Sequence, residues 1–115
     1  MVVTLWEKRN TKKLNVLMHV ETYRSLKEYS EKNDIAMIKV IIKALNFSIK
    51  HLDKFKKFLR QYADFISGDV TTLRTFSVSE MNHERIKAWA EKLDLSVSKW
   101  VDSAVAFYLA KRQKM

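Results

Sequence analysis

The chain has 115 residues, with 22 Lys plus Arg against 13 Asp plus Glu for a formal charge of +9, one glycine, no proline and no cysteine. This length supports one domain (1–115) with a modest core rather than two independent cores, and the scarcity of glycine and proline excludes a turn-rich sandwich or barrel. Without cysteine there is no disulfide, thiolate metal site or cysteine nucleophile, as suits a reducing interior, while the basic excess favours a polyanionic partner, most commonly nucleic acid.

The charge is uneven, because residues 1–60 carry 14 basic and 6 acidic side chains whereas residues 61–115 carry 8 and 7. The first half therefore dominates attraction to an anion. The N-terminal Met-Val-Val-Thr-Leu-Trp-Glu-Lys-Arg lacks the apolar core of a signal peptide, and Lys39 and Lys43 interrupt the most apolar internal stretch. The expectation is a cytoplasmic protein that spans no membrane. Lys8, Arg9, Lys12 and Lys13 form a basic arm that either follows an anionic backbone or is simply solvated.

Along the chain, Lys12–His19 alternates, with Leu14, Val16 and Met18 on one side and Lys13, Asn15 and Leu17 on the other, the pattern of a half-buried strand. Glu21–Lys32 changes period, and Tyr23, Leu26, Tyr29 and Ser30 fall on one face of a helix ending near Asn33 and Asp34. From Ala36, the stripe Met37, Val40, Ile41, Ala44, Leu45 and Ile49 predicts a longer, more buried helix.

His51–Ile66 then keeps Leu52, Phe55, Leu59, Tyr62 and Ile66 at helical spacing before Gly68, a natural stop. This helical linker, assigned to 50–69, either continues the preceding helix or breaks from it near Asn46–Ser48, which are weaker helix formers. Its Lys54, Lys56, Lys57 and Arg60 lie opposite Phe55 and Leu59. That arrangement reads as a packed strut, a second phosphate-contacting surface or a membrane-surface helix. Its aromatic residues also offer a dimerisation face.

The order strand, helix, helix then recurs. Thr72–Ser79 alternates around Phe76 and Val78, Glu80–Lys92 carries Ile86, Trp89 and Ala90, and the segment from Ser96 carries Val97, Trp100, Val101, Ala104, Val105 and Tyr108. A shift of 60 residues aligns Lys27 with Lys87, Glu31 with Glu91, Asp34 with Asp94, Lys39 with Lys99 and Phe47 with Phe107. Agreement in identity, order and phase marks an internal repeat.

Each unit, 12–49 and 72–110, has a strand, a helix, a tight turn and a second helix opening as Ile35-Ala36-Met37-Ile38 or Leu95-Ser96-Val97-Ser98. In this it resembles the ribbon-helix-helix (MetJ/Arc-type) superfamily, and the two copies on one chain resemble tandem regulators of some archaeal viruses. The resemblance implies a mostly α fold with one short two-stranded antiparallel ribbon, the two units forming an intramolecular pseudo-dimer. It also implies a sequence-specific transcription regulator whose ribbon enters the major groove of double-stranded DNA, acting in a host cytoplasm if the chain is viral. Homodimers or higher oligomers would then assemble on adjacent sites.

The base-contact candidates implied are Lys13, Asn15 and Leu17 from the first strand and Thr75 and Ser77 from the second. Lys can donate to guanine O6 and N7, Asn can pair with adenine, and Ser or Thr suits several bases. The alternative is that Asn15, Thr75 and Ser77 are ordinary solvent-facing strand residues. Leu17 fits a DNA-facing position only against a thymine methyl. As the strands differ, the expected site is not a perfect palindrome.

The family grips phosphate with the first amides of the second helix, which here belong to Ala36, Met37, Ser96 and Val97, with Lys12 and Arg9 as further phosphate contacts. Ser96 also suits an N-cap, whereas Ala36 cannot cap. Two features depart from the family. Asp34 and Asp94 stand where glycine is frequent, and Arg74 falls on the core side of its strand unless that register is off by one.

No enzyme is expected, nor a cofactor, metal or small-molecule substrate. His19, His51 and His83 lack metal-ligand spacing and read as element-end residues, and there is no nucleophile elbow or glycine-rich loop. Trp89 and Trp100 lie on core stripes, and Trp6 has no assigned role. Competing functions are an antitoxin-like protein-interaction module, against which the short Lys-Arg-Gln-Lys-Met ending counts, and non-specific DNA coating.

Overall fold

The computed structural model describes residues 11–65 and 70–113; Lys8 and Arg9 of the basic arm, Trp6, Ile66 of the linker stripe and the stop at Gly68 lie outside the described residues. The elements run β1 (Thr11–His19), α1 (Val20–Lys32), α2 (Met37–Lys50), α3 (Leu52–Phe65), β2 (Thr71–Ser79), α4 (Glu80–Lys92) and α5 (Val97–Gln113). The fold is mostly helical, with one antiparallel two-stranded sheet.

Alternation builds the sheet. Leu14, Val16 and Met18 of β1 and Phe76 and Val78 of β2 are buried, while Lys13, Asn15, Thr75 and Ser77 are exposed. β1 pairs with β2 in a register that places Asn15 opposite Thr75, Lys13 opposite Ser77 and Leu17 opposite Leu73. The second strand is not slipped. Arg74 does fall on the core side, opposite Val16, but it leaves the core by stacking its guanidinium over the Tyr23 ring, 4.1 Å from the centroid.

The turns after α1 and α4 share one construction. Asp34 and Asp94 adopt left-handed φ values of 53° and 60°. At each turn the Asp N–H donates to the carbonyl three residues back, that of Glu31 or Glu91. The next N–H, of Ile35 or Leu95, donates to the Ser30 or Ala90 carbonyl at 3.0 and 2.9 Å. This double closure satisfies the orphan carbonyls of a helix end. Aspartate substitutes for the usual glycine because its short polar side chain tolerates the left-handed region. Strand, first-helix and turn positions all recur at an offset of 60 residues, down to the bounds of β1 and β2 and of α1 and α4.

α5 is the central element. Residues 100–105 and 107–109 are all buried, so the helix is enclosed on every side rather than on one stripe. It packs against α2, β1, α1, α3 and α4. Trp100, 1 % exposed, donates its indole N–H to Ser48 Oγ of α2 at 3.0 Å, so the largest core side chain stands against a small one and keeps its polar atom satisfied.

The linker is helical, but it breaks from α2 at His51 rather than near Asn46–Ser48. Ser48 stays inside α2 by donating back to the Leu45 carbonyl at 2.7 Å, and α3 restarts with Phe55 N–H on the His51 carbonyl at 2.9 Å. Phe55 is fully buried, and Phe55 and Phe58 both meet Phe107 of α5, with centroids 5.4 and 5.3 Å apart. Lys54, Lys56, Lys57 and Arg60 are exposed on the opposite side. On α1 the buried residues are Thr22 and Leu26, with Tyr23 and Tyr29 only partly covered. No helix of the described residues is long and apolar enough to cross a membrane.

Candidate nucleic-acid interface

The outer sheet face assembles the predicted strand residues in three cross-strand pairs. At the centre, Thr75 Oγ1 donates to Asn15 Oδ1 at 2.8 Å, which leaves the Asn15 amide NH₂ as a donor toward solvent. At one end Lys13 Nζ donates to Ser77 Oγ at 3.2 Å. At the other end stand Leu17 and Leu73, 49 % and 63 % exposed. Leu73 was not among the sequence candidates, although strand parity places it beside Thr75 and Ser77. Taking only the two outward residues beside Phe76 and Val78 hides it.

The helix starts predicted for phosphate flank this sheet, and they are built differently. On the α5 side, Ser96 caps the helix by accepting from Lys99 N–H at 3.0 Å. Two amides at the end of β1 are captured by α5. Leu17 N–H donates to Ser98 Oγ at 2.9 Å and His19 N–H to Asp102 Oδ1 at 3.0 Å. On the α2 side, the positions 60 residues earlier are Ile38 and Ile42, which cannot accept. There Ile38, Lys39, Ile42 and Lys43 form an open groove with Ser77, Ser79 and Asn82.

Ala36 and Met37 begin α2 with no side-chain cap, and Lys39 on its first turn is exposed. Ser96 and Val97 begin α5 beside a shallow groove that also holds Asp94 and Lys87. Lys12 is exposed on β1. Arg24 on α1 is already engaged by the Glu21 carboxylate, whose pKa this hydrogen bond lowers below its ordinary value while raising that of the guanidinium.

Asp102 escaped notice in the sequence. It is 4 % exposed on α5, and besides His19 N–H it holds His19 Nδ1 at 2.5 Å through Oδ2. Tyr62 of α3 donates its hydroxyl to the same oxygen at 3.0 Å and also meets Thr22 Oγ1 of α1 at 2.8 Å. One buried carboxylate thus ties the end of β1, the linker helix and α1 to the central helix. The three histidines do not converge, and no group of three or more His, Asp or Glu among the described residues could hold a metal ion. No family model, curated protein or solved structure matches this chain.

Proposed function

We propose that the protein is a sequence-specific, double-stranded-DNA-binding transcription regulator of ribbon-helix-helix type, whose two units make an intramolecular pseudo-dimer. One observation carries the reading. The repeat offset of 60 residues and the pairing register meet at a single pair, Asn15 and Thr75, so equivalent residues of the two halves face each other at the middle of the sheet. In such a pseudo-dimer a two-fold axis through that pair would exchange β1 with β2, α1 with α4 and the start of α2 with the start of α5.

Under this reading the exposed sheet face enters the major groove, which admits a two-stranded ribbon. Lys13 and the free amide of Asn15 supply donors to base edges, with Thr75 and Ser77 completing the row. The first amides of α2 and α5, aided by Lys12, Lys39 and Lys99, contact phosphates on either side. Arg9 belongs to the same basic set. The charge of +9 provides the salt-sensitive part of the affinity.

Parallel selections from a random-sequence duplex pool at roughly physiological salt, with the wild type and the K13A/N15A variant, test this. The wild type is expected to enrich a short, imperfectly symmetric motif that the equally folded variant loses. Equal enrichment by both would exclude the ribbon as the reader. Binding without enrichment would indicate DNA coating, and no binding would indicate a protein partner.

A further inference from the structure

If the two halves were identical, the outer pairs of the sheet would be identical too. The offset of 60 residues carries Lys13 onto Leu73 and Leu17 onto Ser77, so the pair Lys13–Ser77 corresponds to the pair Leu73–Leu17. The chain therefore has a cation and a hydroxyl at one end of the sheet face and two exposed leucines at the other. The flanks repeat the contrast. The Lys13–Ser77 end lies beside the groove with Lys39 and Lys43, whereas the Leu17–Leu73 end lies beside Ser98 and Asp102 of α5.

Resting on the DNA-binding reading above, we infer that the Leu17–Leu73 pair reads thymine C5-methyl groups on one side of the site only, so that the protein lies on its operator in a single orientation. The thymine methyl is the apolar feature that a base pair presents in the major groove. A solvated leucine pair inside an otherwise polar face, on which Lys13 is the one Lys or Arg, complements that feature and no phosphate. Leu17 and Leu73 stand two residues from the central pair, about 7 Å along the strand, or roughly two base steps. The methyl-bearing thymines accordingly fall about two base pairs from the centre of the motif on one side, and Lys13 takes a guanine at the same distance on the other.

The test uses the duplex recovered by selection, resynthesised with uracil for thymine one position at a time, which removes only the methyl. Uracil in the half facing Leu17 and Leu73 is expected to weaken binding about fourfold per methyl removed, the worth of one buried carbon. Uracil in the other half leaves binding unchanged, and 5-methylcytosine opposite guanine at the sensitive position restores part of the affinity. The L17A/L73A variant, which alters only exposed side chains, is expected to bind thymine and uracil duplexes alike.

A recovered motif that is indifferent to uracil everywhere would overturn this inference and leave the DNA-binding reading standing. Equal sensitivity in both halves would overturn the single orientation. Failure to recover any motif would instead count against the underlying reading. If L17A/L73A converts a dimer to a monomer in sedimentation and uracil has no effect, the pair is a self-association surface and the inference is wrong.

Discussion

At the scale of single residues, the most connected side chain is one with no partner in its own neighbourhood of the sequence. Asp102 accepts from the His19 backbone, the His19 ring and the Tyr62 hydroxyl. These partners lie 83 and 40 residues away. An acidic residue in the middle of an apolar helical stripe gives no sign in the sequence of which donors it will meet, so periodicity cannot disclose the network. Its removal leaves buried donors without an acceptor, at a cost of about 1–3 kcal/mol. Asp102→Ala is expected to lower stability by that amount in denaturant titration and to speed hydrogen exchange at the His19 amide. Unchanged exchange at His19 would show that the carboxylate does not hold the end of β1.

The elements themselves were largely legible. Leu14, Val16 and Met18 against Lys13, Asn15 and Leu17 is a period-two pattern that only one register satisfies, and burial follows it residue by residue. The helices announced themselves by stripe and phase. The junction after α2 did not, since nothing near His51 is a strong breaker and the weaker helix formers Asn46 and Ser48 are retained by packing and by the Ser48 bond to Leu45. Leu73 was missed for a simpler reason: the outer face of the second strand was taken only from Thr75 and Ser77, beside Phe76 and Val78, although parity includes Leu73 as it includes Leu17.

The two left-handed aspartates supply an element-scale prediction. Asp94 and Asp34 carry the conformational cost of positive φ and put negative charge near the helix starts that would meet phosphate. Asp94→Gly is expected to raise stability, by less than the roughly 1–2 kcal/mol that an ordinary L-residue loses in the left-handed region, because aspartate tolerates it better than most. It should also tighten DNA binding, as read by thermal unfolding and by titration at fixed salt. Weaker binding with equal stability would place Asp94 in a productive contact.

For the whole molecule, the asymmetry of the two halves matters as much as their likeness. α5 is enclosed because α3 covers it through Phe55 and Phe58, whereas α2 leaves Ile38 and Ile42 only partly buried along an open groove. Phe107 lies nine residues along α5 from Ser98, about 14 Å from the helix start that flanks the sheet. The basic residues of the first turns of α3 are thus remote from the proposed DNA face. K56A/K57A is expected to leave the slope of log affinity against log salt unchanged. K39A should reduce it by about one, for the one phosphate no longer neutralised. A reduced slope for K56A/K57A would make α3 a second DNA-contacting surface.

In the proposed complex the exposed face of β1 and β2 occupies the major groove. Methylation interference on the duplex recovered by selection addresses it directly, because guanine N7 lies in the major groove and adenine N3 in the minor groove. The result expected is loss of binding when guanine N7 is methylated within the central base pairs, most strongly on the side facing Lys13, with no effect of adenine N3 methylation there. Interference confined to adenine N3 would contradict it and place the protein in the minor groove.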